Sequence, residues 1–239
     1  MNKSDILKAA KWRQAIKQFD PTRKINDDDF NFILEIARIS PTSNGIEPWN
    51  AIVVQNADLR QKLIKVAPGG TSQLNTASHV VILTTKRASQ LKPGSDYIKH
   101  MSRDVHDHPA VQFAAWKQVY RVFLSSMLGV LKNDDLLEAH AQRQAYIVLG
   151  NMMLAAAEIG IDSSPMEGFY SKKFDKTLAE AGVLDPTTDR STVMVAFGYR
   201  PSDTATTKTR PSEKLKKLVF DYDGDHKTRR SLDEIVKTV

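Results

Sequence analysis

Between a predicted amphipathic helix and a short apolar strand, the chain contains the stretch Pro41-Thr42-Ser43-Asn44-Gly45-Ile46-Glu47-Pro48-Trp49. Its two prolines and its glycine cannot extend a helix, and its small polar residues supply hydroxyl and backbone N–H groups in a fixed turn. The strand that follows, Ala51-Ile52-Val53-Val54, is apolar and is expected to be buried. A rigid polar loop beside a buried strand can bind a flat ligand with polar edges. Considered alone, a plain connector anchored by Trp49 explains the stretch slightly better.

The composition is typical of a soluble globular protein. The chain has 239 residues, of which 41% are hydrophobic and 26% are charged, enough for one generous domain with a sizeable core. It has no apolar run of membrane-spanning length, no apolar signal-peptide core at its N-terminus and no cysteine. We therefore expect a cytoplasmic protein without membrane association, disulfides or thiolate metal sites.

The net charge of +6 does not by itself indicate a partner. Lysine and arginine are spread along the chain without a long basic run or interleaved aromatic residues, so nucleic acid is not expected as a ligand. The excess charge suits an anionic small molecule or the phosphate of a cofactor equally well.

Apolar periodicity predicts a mostly helical α+β domain around one small buried sheet, without repeats or an internal boundary. The polar segment at 89–109 holds three histidines and predicts an irregular loop or lid. Strands are predicted at 51–54, 80–83 and 192–197, and helices at 4–17, from Asn26 onward, and at 59–66, 110–131, 134–159 and 172–181.

Basic residues at short spacing form three candidate anion sites. Arg13 and Lys17 are four residues apart and share one face of the predicted first helix, where an anion between them would offset their repulsion. Lys208-Thr209-Arg210 and Lys227-Thr228-Arg229 repeat a Lys-x-Arg pattern near the C-terminus. A solvated basic surface is the commoner explanation for the first pair and an equally good one for the other two.

The segment Pro165-Met166-Glu167-Gly168-Phe169 predicts a turn after the long helix, at the edge of a site. A glycine there lets the backbone N–H approach a ring closely, although an ordinary turn explains the segment as well. The histidines predict no metal site, and His79 is expected to be a satisfied residue at a strand end. A helical aromatic stripe is expected to be mainly core and consists of Phe113, Trp116, Tyr120 and Phe123.

No G-x-G-x-x-G, Walker or G-x-S-x-G motif is present, so a Rossmann domain is not expected. Four segments instead resemble, in order, the nitroreductase family of FMN-dependent NAD(P)H oxidoreductases. Residues 13–20 are similar to its R-x-x-x-K-x-F/Y-D element and residues 41–49 to its P-S/T-S-x-x-x-Q-P-W loop. Residues 77–81 are similar to its A-S-H-V-V strand entry, and residues 165–169 to its P-x-E-G-F turn. With a C-terminal Lys-x-Arg, the resemblance covers almost the whole chain.

The resemblance implies an α+β nitroreductase-like fold, with a small, mainly antiparallel sheet surrounded by helices. It implies an intertwined homodimer with two FMN molecules at the subunit interface. A single domain would span residues 1–239, with a substrate-covering segment at about 89–125 and a C-terminal extension at about 201–239.

The implied activity is a ping-pong, two-electron reduction of nitroaromatics, quinones or similar electron-poor small molecules, with NADH or NADPH as donor. The alternatives are a flavin or pteridine reductase, an activated-alkene reductase of the same fold, and a non-enzymatic FMN-binding protein.

The resemblance also implies the cofactor contacts. Arg13 and the C-terminal Lys-x-Arg would bind the FMN phosphate, and Lys17 would approach the N1/O2 edge of the flavin. The backbone at Glu167 and Gly168 would lie against N5, which carries the chemistry, so no side chain is expected to be catalytic. The expected cofactor-binding residues are Arg13, Lys17, Pro41, Thr42, Ser43, Gly45, Pro165, Met166, Glu167, Gly168, Lys227 and Arg229.

Three features depart from the family pattern. Glu47 stands where the loop often has Gln, and Ala15 replaces a frequent Ser. The phosphate-binding Lys-x-Arg is expected at Lys227 and Arg229, because the family pair lies about ten residues before the end of the chain. Residues 201–226 would then be an insertion, and the alternative pair is Lys208 and Arg210.

Overall fold

The computed structural model describes residues 2–201 and 229–239. Lys227, the alternative pair Lys208 and Arg210, and nearly all of the expected insertion lie outside the described residues. The helices are α1 Lys3–Trp12, α2 Asp27–Arg38, α3 Ala57–Ile64, α4 Thr71–Thr76, α5 Ala88–Leu91, α6 Asp96–His100, α7 Ala110–Val122, α8 Asp134–Glu158, α9 Ser171–Glu180 and α10 Leu232–Ile235. Single π-helical turns extend α6 and α7, at Met101–Val105 and Phe123–Met127, and 3₁₀ turns lie at Ser43–Gly45 and Pro68–Gly70.

The sheet has four strands in the order β1-β2-β4-β3, and each neighbouring pair is antiparallel. This arrangement confirms the predicted fold class of a small antiparallel sheet among many helices. The strands are β1 Trp49–Val53, β2 His79–Lys86, β3 Asp162–Met166 and β4 Asp189–Gly198.

Strand β3 was not predicted, and the expectation of a turn at Pro165–Phe169 is wrong in its first half. Pro165 and Met166 pair with Val195 and Met194 of β4, so only the residues after Met166 form the turn. The five residues of β3 are an aspartate, two serines, a proline and a methionine, and none is of the β-branched or aromatic type that marks strands. The strand tolerates a proline because it lies at the end of the sheet.

The two central strands have apolar side chains on both faces, which explains their unbroken apolar runs. Val80 and Ile82 of β2 enter one core cluster, and Val81 and Leu83 enter another on the opposite face. The first cluster receives residues from α3, α4 and α9, and the second from α2 and α8: Leu63, Leu74 and Phe174 in the first, Ile33, Val148 and Met152 in the second.

The segment at 89–109 is largely helical rather than the irregular loop that its polar residues suggested. Ser95 caps α6 through a bond from the Ile98 N–H to its hydroxyl, and Leu91, Ile98 and Met101 are buried. The polar residues form the exposed side of short helices, which are too short for a clear periodic signal. A third core cluster packs these helices and the aromatic stripe of α7 against α8, which confirms the expected core role of that stripe.

Helix α8 spans 25 residues and contacts both the loop before β1 and the turn after β3. Asn133 caps its first turn, and Gly160, at φ 76°, follows its end. In the two described parts of the chain, no helix combines the length and apolar character needed to cross a bilayer.

Candidate functional site

Helix α1 ends at Trp12, so the expectation that Arg13 and Lys17 share a helical face is wrong. Arg13 has ψ 125°, outside the helical region, and Ala15 forms a parallel bridge with Ser163 of β3. The Ile16 N–H donates to the Ser163 carbonyl at 3.3 Å, and the buried side chain of Ile16 holds the segment against the core. In an extended chain the Cα atoms of Arg13 and Lys17 lie up to roughly 13 Å apart. The two cations are therefore suited to different parts of a long ligand.

Arg200 fixes the start of this extended segment. Its guanidinium Nε lies 3.0 Å from both carboxylate oxygens of the buried Asp162 in β3. Its central carbon lies 4.3 Å from the centroid of the Trp12 ring, in a cation–π contact. The end of α1, the start of β3 and the residues after β4 are thus held together beside the expected phosphate-binding Arg13.

The turn after β3 packs backbone against backbone. The Gly69 N–H donates to the Gly168 carbonyl at 2.9 Å, and a Cβ atom on Gly168 would lie 2.8 Å from the Cα atom of Gly69. Within residues 2–201 and 229–239, the N–H of Gly168 donates to no backbone carbonyl. Gly168 therefore combines a position that excludes a side chain with a donor that a ligand can use.

Tyr146 of α8 supports the same turn. Its hydroxyl donates to the carboxylate of Glu167. Burial, and then the hydrogen bond and negative charge of Glu167, raise the pKa of Tyr146, so the hydroxyl remains protonated and a donor.

The loop that precedes β1 is held by hydrogen bonds to its own polar groups and to α8. The Ser43 N–H donates to Gln144 Oε1 at 2.9 Å, and the Glu47 N–H donates to Thr42 Oγ1 at 3.0 Å. Because a hydroxyl can accept and donate at once, the Thr42 hydroxyl keeps its own proton for a ligand. Below the loop, Trp49 packs against the core cluster that contains Val81, in keeping with its expected anchoring role.

The carbonyl side of this loop faces α6 and the π-helical turn after it. The Tyr97 hydroxyl lies 2.8 Å from the Ile46 carbonyl oxygen and 2.6 Å from that of Glu47. His106 Nε2 lies 2.8 Å from the Gly45 carbonyl oxygen, so this nitrogen carries the proton that is donated.

Sequence reasoning did not identify four residues that support the candidate site. They act on partners 21 to 101 residues away, and no local pattern reports such contacts. The one available signal was the presence of a tyrosine and histidines in a segment expected to cover the site. The four are Tyr97, His106, Gln144 and Tyr146.

The expected residues form two groups within the described chain. One group lies along β3 and the turn that follows it: Arg13, Lys17, Pro165, Met166, Glu167 and Gly168. The other lies in the loop before β1: Pro41, Thr42, Ser43 and Gly45. Arg229 lies two residues before Ser231, which caps α10.

Helix α8 separates the two groups. The loop contacts Gln144, and Ser40 just before it accepts a hydrogen bond from Asn151, seven residues further along α8. The turn contacts Tyr146 instead. Positions 144 and 146 point about 200° apart around a helix, whereas 144 and 151 point in nearly the same direction. The two groups therefore approach opposite sides of α8 within one chain.

Comparisons with known proteins agree with this architecture. The family model described as "Nitroreductase family" matches residues 10–199. The protein named "Putative NAD(P)H nitroreductase YfkO" of Bacillus subtilis (strain 168) is 40% identical over 237 residues, which cover 99% of this chain and 98% of that protein.

Solved structures share the fold. A nitroreductase family protein from Streptococcus pneumoniae TIGR4 superposes with a TM-score of 0.70 at 21% identity, covering 98% of this chain and 99% of that one. A protein described as a "putative nitroreductase" from Exiguobacterium sibiricum 255-15, solved in complex with FMN, has a TM-score of 0.65 at 18% identity, covering 100% and 98% of the two chains.

Proposed function

This chain belongs to the nitroreductase family, and on that premise we propose that it is an FMN-dependent NAD(P)H oxidoreductase that reduces electron-poor small molecules by two electrons. The family resemblance inferred from the four motifs is confirmed. The enzyme class follows from membership and from the name of the 40% identical relative. The substrates, nitroaromatics and quinones among them, and the ping-pong cycle are the proposal itself.

The observation that carries the proposal is the extended segment from Arg13 to Lys17, which runs beside β3, the strand that leads into the Gly168 turn. FMN is elongated, with a dianionic phosphate at one end and a flat ring at the other. Two separated cations and a backbone donor that no Cβ atom shields match this shape and charge. The residues present therefore fit FMN.

Each residue of this group has a defined task in the proposal. Arg13, with Lys227 and Arg229, binds the phosphate, and Lys17 places a positive charge at the N1/O2 edge of the ring, where reduction develops negative charge. The backbone at Glu167 and Gly168 orients the ring at N5, while Tyr146 holds the Glu167 carboxylate. FMN bound there supplies the two-electron transfer between a nicotinamide and an acceptor.

A homodimer unites the two groups of residues in one site. Within one chain they lie on opposite sides of α8, so one FMN molecule contacts both only if the second group comes from a partner subunit. The side of α8 near Tyr146 supports such a contact because, beside the exposed Arg143, it presents the exposed apolar side chains of Leu136 and Ile147 and an open Gly150. We propose that this α8 face packs in the dimer interface.

The absorption spectrum of the purified protein tests the function. We expect a yellow protein whose flavin bands bleach anaerobically with NADH or NADPH and return when a nitroaromatic or a quinone is added. A protein that binds FMN but is bleached by neither nicotinamide would instead be a non-enzymatic FMN-binding protein. Return of colour only with an enone, or only with free flavin or a pteridine, would favour the corresponding alternative reductase. A colourless protein that binds no added FMN would contradict the proposal.

A further inference from the structure

The loop at residues 42–47 has a backbone conformation that local sequence does not favour. Asn44, Gly45 and Glu47 have φ values of 57°, 62° and 41°. The left-handed region is unfavourable for residues with a Cβ atom, although asparagine tolerates it better than most. Only one of the three residues is glycine, so contacts from outside the loop must help to maintain this conformation.

Those contacts come from α6 and the π-helical turn after it. Three consecutive carbonyl groups of the loop accept hydrogen bonds there: Gly45 from His106, and Ile46 and Glu47 from the single hydroxyl of Tyr97. Four N–H groups of the loop, in contrast, are bound within the loop or by α8: those of Ser43, Gly45, Ile46 and Glu47. Apart from a hydrogen bond from the Trp49 N–H to the Glu47 carbonyl at 2.7 Å, the carbonyl side is held by Tyr97 and His106.

Tyr97 is itself held in place. It packs against the third core cluster, and Lys86 Nζ lies 5.1 Å from the centroid of its ring. Lys86 in turn forms an ion pair with Asp189 at 3.0 Å. Burial, and then the negative charge of Glu47, raise the pKa of Tyr97, so its hydroxyl is a donor throughout the physiological range.

We propose that Tyr97 is a positioning residue that holds the loop at residues 42–47 in its cofactor-binding conformation, with His106 as a second support. The proposal rests on the proposed function, because this loop supplies one of the two groups expected to contact FMN. Through Tyr97, α6 in the expected substrate-covering segment then affects FMN affinity without contacting FMN. Changes in α6 that admit a different acceptor then also alter cofactor retention.

The matched pair Tyr97→Phe and Tyr120→Phe tests this. Tyr120 is buried, belongs to the same core cluster and donates its hydroxyl to the Leu91 carbonyl at 3.3 Å, away from the loop. Two quantities are measured on the apoprotein: the FMN dissociation constant, and the hydrogen-exchange rate of the backbone amides at residues 42–49. Tyr97→Phe should weaken FMN binding about three- to tenfold, as expected for one hydrogen-bond donor, and speed exchange at 42–49. Tyr120→Phe should change both quantities by less than about twofold, although each variant lowers the Tm.

A second pair of variants distinguishes the effect of the His106 hydrogen bond on FMN affinity from the effect of its side-chain size. His106→Leu should weaken FMN binding in the same direction as Tyr97→Phe but less, because His106 is exposed. His106→Gln should restore affinity, since its amide N–H can replace Nε2–H.

Two results would overturn the positioning role alone: equal effects of the two tyrosine variants on FMN affinity, or unchanged exchange at 42–49 in Tyr97→Phe. Failure of the FMN site itself is different, because the wild-type apoprotein would then bind no FMN, and both proposals would fall.

Discussion

At the scale of single residues, position 168 requires glycine because of what lies beside it and not because of its backbone angles. Its neighbour across the turn is the backbone of Gly69, which cannot move aside as the end of a flexible side chain could. The missing side chain thus serves the packing of two turns and also leaves the Gly168 N–H open to a ligand.

Gly168→Ala should lower the free energy of unfolding by about 1–3 kcal/mol, since its Cβ atom would lie against the backbone of Gly69. The measurement is denaturant unfolding of the apoprotein. Glu167→Ala is the control, because it removes the contact with Tyr146 but adds no atom beside Gly69. Equal stability of Gly168→Ala and wild type would contradict the close approach.

Single-residue variants also test which of the two C-terminal cation pairs binds the FMN phosphate. Arg13→Ala and Arg229→Ala should each weaken FMN binding about tenfold or more, because each removes a charge-assisted phosphate contact. Fluorescence titration of the apoprotein with FMN measures this, with Arg38→Ala as the control, since Arg38 pairs with Glu35 at the surface of α2. Unchanged affinity in Arg229→Ala, together with a loss in Arg210→Ala, would assign the phosphate contact to the alternative pair.

At the scale of elements, α8 is the organising helix of the site. Its positions 144 and 151 hold the loop, its position 146 holds the turn, and its exposed side carries apolar residues that a monomer would leave in water. The helix has little amphipathic character because nearly every side of it packs against, or forms hydrogen bonds to, another part of the protein.

Ile147→Asp should convert the proposed dimer into monomers and also weaken FMN binding, because a buried charge disrupts the interface that unites the two groups of residues. Sedimentation velocity and FMN titration are the measurements. Val183→Asp is the matched control, since Val183 is 42% exposed against 43% for Ile147 and follows α9 rather than belonging to α8. A wild-type protein that binds FMN as a monomer would contradict the interface proposal.

At the scale of the whole molecule, the sequence predicted what short-range patterns determine. The central strands, α8 and the loop before β1 all have local signals: apolar runs, a stripe of core residues, and turn residues. Three features escaped prediction because they depend on distant contacts. Trp12 ends α1 since the next residues bridge to β3, and β3 is a strand because β4 pairs with it. Most of residues 88–105 are helical because their apolar side chains meet α7 and α8.

The bridge between Ala15 and Ser163, and the contact of Arg200 with Trp12, join parts of the chain that are made far apart in time. Closing such long loops is entropically costly and slow, and a ribosome adds roughly 5–20 residues per second. The segment that carries Arg13 and Lys17 is therefore synthesised well before its partners Ser163 and Arg200. In the proposed site, the FMN contacts of this segment consequently form only after the chain has been synthesised as far as Arg200.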